Sequence, residues 1–478
     1  MMVMEELQRE NEQLKAQVKD LSERLQAAEA MIKKLVELLG QNSRNSSWPS
    51  SRDKSRKQKP KSQRKKNDRK AGGQKGHQGH TLEMQAEPDV VHVSRPEVCA
   101  HCDCELEKER APEQVSKRQV LELPPLRFIT TEYQVEEVRC DGCGKVTGGS
   151  FPSDVTQPVQ YGPQVKQLAV YLKTEQFIPY KRSQQMVADL FELPASVGSL
   201  QNFVATAAEK VEPAVEQIKE AVTRSEVLHV DETGFYIGGK RHWLHTASTQ
   251  TLSYYAPHAR RGKIAPNEIG ILPKFKGVMV HDFWQSYNSY KQATHALCNA
   301  HHLRDLTAVH ENNDQLWAIL MLRCLLVAKS QVDHAREAGE SALPSDQLER
   351  LDQLYTAIVS LGFAENPLPD TPPPKKRGRT KKGKARNLVE RFDQRKTDIL
   401  RFAFDFKVPF DNNLAERDIR MMKVQQKISG CFRSEQGAKQ FCRLRSYTAS
   451  IRKQGRSVWK AIGSLFSDDI TSPLPTPG

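Results

Sequence analysis

Three carboxylates stand where they could do chemistry on a phosphodiester. Val227-Leu228-His229-Val230 is an apolar run that leads into Asp231, and Gly277–His281 is another that ends at Asp282. A carboxylate at the end of an apolar strand is costly unless it is paired or holds a cation. An Asp capping a turn explains either one alone, but two at matching places point to a site. The third candidate, Glu416, lies on a helix that starts near Asp411-Asn412-Asn413, with Asp411 or Asn412 as the N-cap. Asn413, Glu416, Arg420, Lys423 and Lys427 are spaced 3, 4, 3 and 4 and line one helical face. Ala415, Ile419 and Met422 lie on another face and should pack inward. A Glu among cations is commonly a solvated ion-pair face. Here the stripe would put a metal ligand beside groups that can hold phosphates, so Arg420, Lys423 and Lys427 are candidate DNA contacts. Two Mg²⁺ (or Mn²⁺) ions about 3.5–4 Å apart activate the attacking oxygen and stabilise the leaving one. Asp231, Asp282 and Glu416 could hold such a pair, with no Ser, Cys or Tyr nucleophile required.

A second set of ligands has metal spacing. Cys99-Ala100-His101-Cys102 is followed, after 37 residues, by Cys140-Asp141-Gly142-Cys143. Each CxxC turn aims two thiolates at one point, and two such turns complete a tetrahedral Zn²⁺ site with no open position. A structural zinc ribbon over residues 86–152 is expected, with Lys117–Glu122 and Phe128–Val138 alternating as strands would. His101 and Cys104 read as bystanders.

The acids need elements to carry them. Val227–Val230 runs as a strand into Asp231; Phe235–Ile237 and Arg241–Ala247, joined at Gly238-Gly239, and Leu252–Ala256 continue it as a three-stranded antiparallel meander, and Gly277–His281 adds a fourth strand. Before them, Val165–Leu172, Ser183–Phe191 and Leu200–Ala208 read as helices. The last two could form a helix-turn-helix or a plain helical hairpin. Residues 1–40 repeat in heptads, with Leu7, Leu14, Leu21, Ala28 and Leu35 at d and Met4, Asn11, Val18, Leu25, Ile32 and Leu39 at a. That pattern predicts a parallel homodimeric coiled coil, although a single amphipathic helix docked on its own protein fits the same stripe.

Charge is concentrated. Residues 52–75 hold twelve Lys/Arg and two Asp, and residues 375–386 hold eight Lys/Arg and no acid. The formal charge of the chain is +14, so everything outside these +10 and +8 stretches sums to −4. A polyanion partner is implied, with a solubilising linker as the plainer explanation of either stretch alone. No run of about 18 apolar residues exists, so no membrane span is expected, and the N-terminus lacks a signal-peptide apolar region.

His229-Val230-Asp231-Glu232-Thr233, His281-Asp282 and Asp411-Asn412-Asn413-Leu414-Ala415-Glu416-Arg417, with the zipper, Gly72–His80 and the two CxxC pairs, carry a resemblance over nearly the whole chain. It resembles the insertion-sequence-sixty-six transposases, a branch of the DDE transposases with an RNase H-like catalytic fold. The resemblance implies that Asp231, Asp282 and Glu416 are the catalytic triad. It implies a mainly helical insert over 300–395, consistent with the 134 positions between Asp282 and Glu416. It also implies double-stranded DNA (transposon ends and target) as substrate, hydrolysis that frees a 3′-OH, strand transfer by that hydroxyl, and accessory transposition proteins. Cys298-Asn299-Ala300-His301-His302-Leu303-Arg304-Asp305 looks like the family's block after the second Asp; Cys298, His301 and His302 are expected to pack or to orient the site, packing first, rather than to bind metal.

The expected whole is a multidomain α+β chain: coiled coil 1–40, basic linker 41–85, zinc ribbon 86–152, helical DNA-binding segment 153–220, RNase H-like α/β catalytic domain 221–465 and tail 466–478. A cytoplasmic, nucleoid-associated bacterial protein is expected. The competing readings are a non-catalytic DNA-binding protein that retains the fold, and an RNase H-like nuclease acting on RNA hybrids. An intact carboxylate cluster without metal would repel both itself and DNA, which favours the enzyme.

Overall fold

In the computed structural model, residues 82–108, 111–368, 382–467 and 469–475 are described, together with Lys15, Lys19 and Ser22, which are helical. The heptads over 1–40 otherwise lie outside the described residues, as do the basic stretch 52–75 and residues 375–381.

Five strands form the central sheet: β3 (Val227–Ile237), β4 (Lys240–Ser248), β5 (Ser253–His258), β6 (Val278–His281) and β7 (Thr294–Leu297). Their order is β5-β4-β3-β6-β7. The first three are antiparallel neighbours, and β6 and β7 run parallel to β3. Gly238 and Gly239 turn β3 into β4 with φ of +53° and +78°, a left-handed pair that a two-residue hairpin requires. The meander and the fourth strand match the sequence reading, with two differences. β3 does not stop at Asp231 but runs on through it, because β4 pairs with it from His229 to Ile237, with Thr246 opposite Asp231. The short strand β7 was not anticipated; four residues carry too little periodicity to announce themselves.

Alternation along β3 serves two cores. Phe235 and Ile237 pack with Ile419 and Met422 of α11 (Asn413–Ser429) and Phe441 of α12 (Glu435–Lys453). Leu228 and Val230, on the opposite face, pack with Ile218 and Val222 of α4 (Glu212–Thr223) and with Phe275 and Met279. Ala415, Ile419 and Met422 are buried as their spacing implied.

The expected helices are present as α1 (Pro163–Thr174), α2 (Tyr180–Phe191) and α3 (Val197–Lys210). They do not form a separate body. Val170, Val204, Ala207 and Val215 share one core with Leu444, Tyr447 and Ile451 of α12 and with Val458 and Ile462 of α13 (Val458–Ser464). The segment 153–220 therefore packs on the C-terminal helices, a long-range pairing with no local sequence signal. The helices between the second and third acids are α6 (Asn299–Asn313), α7 (Leu316–Glu337), α8 (Ser345–Glu365), α9 (Lys384–Gln394) and α10 (Lys396–Phe404). They bury Trp317, Met321, Tyr355 and Phe392 in a core of their own, which α10 extends beyond residue 395 through Ile399 and Leu400. The short α5 (Ile264–Ile269) lies between β5 and β6.

In the cysteine segment the regular structure is one hairpin, β1 (Glu137–Arg139) with β2 (Val146–Gly148). Residues 117–136 form no strand, contrary to their alternation. Val120 is 89% exposed and Ile129 86%, and without a covering layer an apolar face gives a strand no stability.

Candidate active site

The parallel register brings the first two acids together. His229 pairs with Val280, and the same offset of 51 residues carried two positions further sets Asp231 beside Asp282, the residue after β6. Adjacent strands lie about 4.8 Å apart, and partners two residues beyond a pair point to the same face as that pair. Asp231 and Thr233 accordingly line an open cleft of about 260 Å³ with Asp282, Glu416, His301, Arg304, Asn412, Arg420 and Lys423. Lys427 lies further along α11 and is not among the lining residues.

Glu416 reaches the cleft because α11 is clamped at its N-terminus. Asp411 Oδ1 accepts the Asn413 N–H at 3.0 Å, which leaves Asn412 free for other partners. Buried Asn412 donates through Nδ2 to the Val230 carbonyl at 2.8 Å and accepts at Oδ1 from His229 Nδ1 at 2.9 Å. Its backbone N–H points at Cys298 Sγ, 3.1 Å away. One residue thus ties α11 to β3 and to the β7–α6 junction. On the far side of α11, Asp418 accepts from Ser248 (2.7 Å), Ser253 (2.9 Å) and Lys453 (2.5 Å), which fixes the helix over the sheet.

The electrostatics are those of buried anions that the surrounding arginines do not fully offset. Burial pushes the Asp231 carboxyl well above its ordinary value, and the charges of Glu232, Asp282 and Glu416 push it further. Burial raises Asp282 as well, against the opposing pull of the Trp284 N–H, Arg261 and Arg391. Glu416 is raised by burial and by the Asp411 and Asp282 charges, with Arg304 and Arg420 acting against them. Its Oε1 is buried with no hydrogen-bond partner. Three carboxylates that disfavour their own ionised forms, with one oxygen unpartnered, suit divalent cations.

Glu232, next to Asp231 but on the other face of β3, is held by Arg261 Nε (2.8 Å) and Nη2 (2.6 Å) and by the Tyr287 hydroxyl. Arg261 in turn stacks between the rings of Trp243 and Trp284. The sequence offers Asn412 only as an N-cap candidate; it does not foresee this network or the partners of Asn412, His301 and Arg304. Their partners lie tens to hundreds of residues away, so no local spacing announced them. His302 packs as expected, fully buried against Phe392 and bonded through Nδ1 to Asn299 Oδ1 at 3.1 Å.

The cation stripe is uneven. Lys423 donates to the Gly234 carbonyl, and burial followed by the nearby Arg241 charge lowers its pKa. Arg420 stays exposed beside Glu416. In the second basic stretch, Lys382 and Arg386 pair with Glu390 at 2.5 and 3.0 Å, so those two charges are already partnered.

Cys99 and Cys102 sit in one tight turn, closed by the Asp103 N–H on the Cys99 carbonyl at 3.0 Å. Cys140 and Cys143 sit in another, closed by the Gly144 N–H on the Cys140 carbonyl at 2.7 Å. Backbone N–H groups, then neighbouring cysteines, lower the Cys102 and Cys140 pKa values. Each pair is aimed as a knuckle would aim it. Among the described residues the one group of three mutually close donor atoms is Cys298, His301 and Glu416, so the two knuckles do not meet.

No described helix is long and apolar enough to cross a membrane. Residues 158–440, which hold all three acids, match the family model described as "Transposase IS66 family". Residues 2–83 match a family of unknown function, DUF6444. No curated protein matches the chain.

Proposed function

The chain belongs to the IS66 family of transposases, and from that premise we propose that it binds the ends of its element and performs metal-dependent DNA cleavage and strand transfer at the cleft of Asp231, Asp282 and Glu416. The observation that carries this reading is that Asp231 and Asp282, each two positions past the last paired residues of β3 and β6, line one cleft, with Glu416 delivered to it from 134 residues away. An RNase H-like catalytic domain is supported by the sheet order, three antiparallel strands followed by two parallel ones, with helices on both faces.

Two divalent ions, when bound, lower the barrier by activating the attacking oxygen and stabilising the leaving one. Asp231, Asp282 and Glu416 are the residues that would hold them. The protein's other contribution is placement. Arg304 and Arg420 offer positive charge for the phosphate flanking the scissile bond, and the Asn412 clamp keeps Glu416 in reach of the two aspartates. A water oxygen attacks phosphorus and the 3′-oxygen leaves with a proton. That 3′-OH then attacks a target phosphodiester, so one P–O bond forms as another breaks.

Around this centre, Cys99, Cys102, Cys140 and Cys143 would close on a structural Zn²⁺, and residues 1–40 would pair two copies. Arg420 is the DNA contact of first choice on α11, with Lys427 beyond it; Lys423 has a backbone partner to give up first. Accessory transposition proteins and a nucleoid location follow from the same reading.

The test is nicking of end-containing DNA by wild type and by Asp231→Asn, Asp282→Asn and Glu416→Gln. Each variant is expected to lose about 10²–10³-fold or more in cleavage while still binding DNA. Wild-type binding without cleavage in Mg²⁺ or Mn²⁺ would instead support the non-catalytic DNA-binding reading.

A further inference from the structure

Helix α6 begins where β7 ends, and its first turn sets His301 against Glu416 of α11. His301 Nδ1 and Glu416 Oε1 are both buried and both lack a hydrogen-bond partner. They face each other at 3.6 Å. A buried polar atom left unpaired costs about 1–3 kcal/mol, so two of them aimed at one another mark a position for a third atom. The geometry suits an ion. Bonds of about 2.0–2.2 Å to an imidazole nitrogen and a carboxylate oxygen leave those two ligands roughly 3–3.6 Å apart. Cys298 Sγ is the third donor of the group, all within 4.8 Å of one another, but it already faces the Asn412 N–H. Arg304 Nη2 stands 3.9 Å from the same Glu416 oxygen, too far for a hydrogen bond that would replace the ion.

We propose that His301 is a metal ligand, holding one divalent ion of the cleft together with Glu416 through Nδ1. This inference rests on the carboxylate reading above and goes beyond it by making that position a mixed nitrogen–oxygen site. Mg²⁺ keeps to carboxylate, phosphate and water oxygens, whereas a divalent transition-metal ion accepts an imidazole nitrogen more readily, Mn²⁺ the least strongly of the series. The position therefore prefers Mn²⁺ to Mg²⁺, and the preference resides in His301.

The experiment titrates Mn²⁺ into the full-length protein, without DNA, and reads electron spin-echo modulation from a directly bound ¹⁴N. Wild type is expected to show nitrogen coupling. His301→Ala and His301→Gln should lose it and bind Mn²⁺ about tenfold more weakly, with far less change for Mg²⁺. Cys298→Ser should keep the coupling. Bound Mn²⁺ without nitrogen coupling in wild type, or coupling that survives in both His301 variants, overturns the proposal. If that Mn²⁺ binding is weakened by Asp231→Asn, the carboxylate reading survives the loss of His301. Mn²⁺ binding that is absent, or indifferent to Asp231→Asn and Glu416→Gln, overturns both.

Discussion

Burial and three neighbouring carboxylates hold the Asp231 carboxyl well above its ordinary value, and Asp282 and Glu416 are raised with it. The folded, metal-free protein thus keeps protons that the unfolded chain has already released. The contribution of these three groups to stability is fully present below the ordinary carboxyl values and is lost as pH rises through the raised ones. A divalent ion must displace those protons, so its stabilising effect grows over the same interval. Thermal unfolding with and without Mg²⁺, at several values between about pH 5 and 8, should show an increment in Tm that widens with pH. Asp231→Asn should raise the metal-free Tm and flatten the widening. An increment independent of pH would contradict the electrostatic account. At Asn412, truncation to Ala strips two side-chain partners, His229 and the Val230 carbonyl, from a buried site and is expected to destabilise by about 1–3 kcal/mol and to weaken metal binding. Asn413→Ala, at an exposed position, should stay within about 0.5 kcal/mol. Chemical denaturation separates the two variants. The three acids could be read in sequence because each stands at the edge of a patterned segment. Asn412 could be read only as a cap, since its true partners, His229 and Val230, lie more than 180 residues away.

The elements place these residues with little slack. β6 enters beside β3 only because Gly277 has no side chain: a Cβ there would lie 2.4 Å from the Glu226 carbonyl and 2.6 Å from that of Ser225. Backbone cannot yield as a side chain can, so Gly277→Ala should shift β6 and cost roughly 1–3 kcal/mol. Because Asp282 follows β6 directly, metal affinity should fall with stability. Unchanged Mn²⁺ affinity in a destabilised variant would mean that the register is not what positions Asp282. Glu175, just beyond α1, makes a comparable link to α12. Burial alone would raise its pKa, but Arg445, Thr448 and Arg452 outweigh it and hold the carboxyl below its ordinary value. Glu175→Ala leaves Arg445 largely buried without that partner and should cost about 3–5 kcal/mol, read from denaturant midpoints. At this scale periodicity served well for β3 to β6 and for α1 to α3. It failed over 117–136, where alternation found no second layer, and it was silent on α12, whose buried face is needed by β5 and by α1 to α4 together.

For the whole molecule the question is where the affinity for a polyanion resides. Outside residues 52–75 and 375–386 the formal charge is −4, and the cleft itself concentrates carboxylates. Without bound metal that body should repel DNA. Of the second basic stretch, Lys382 and Arg386 are already paired with Glu390, so its free charge is smaller than its sequence suggests. The first stretch, with twelve Lys/Arg against two Asp, is then the main source of phosphate contacts. Each contact contributes about 0.9 to the slope of log affinity against log salt for duplex DNA. Deleting residues 52–75 should therefore lower that slope by several units. Arg420→Ala, a single contact, should lower it by at most about one. Both measurements use full-length protein, duplex DNA and a salt series in the presence of Ca²⁺ to block cleavage. A deletion that leaves the slope unchanged would move the grip to the rest of the chain, and the exposed faces of α2 and α3 would then be the first surface to mutate.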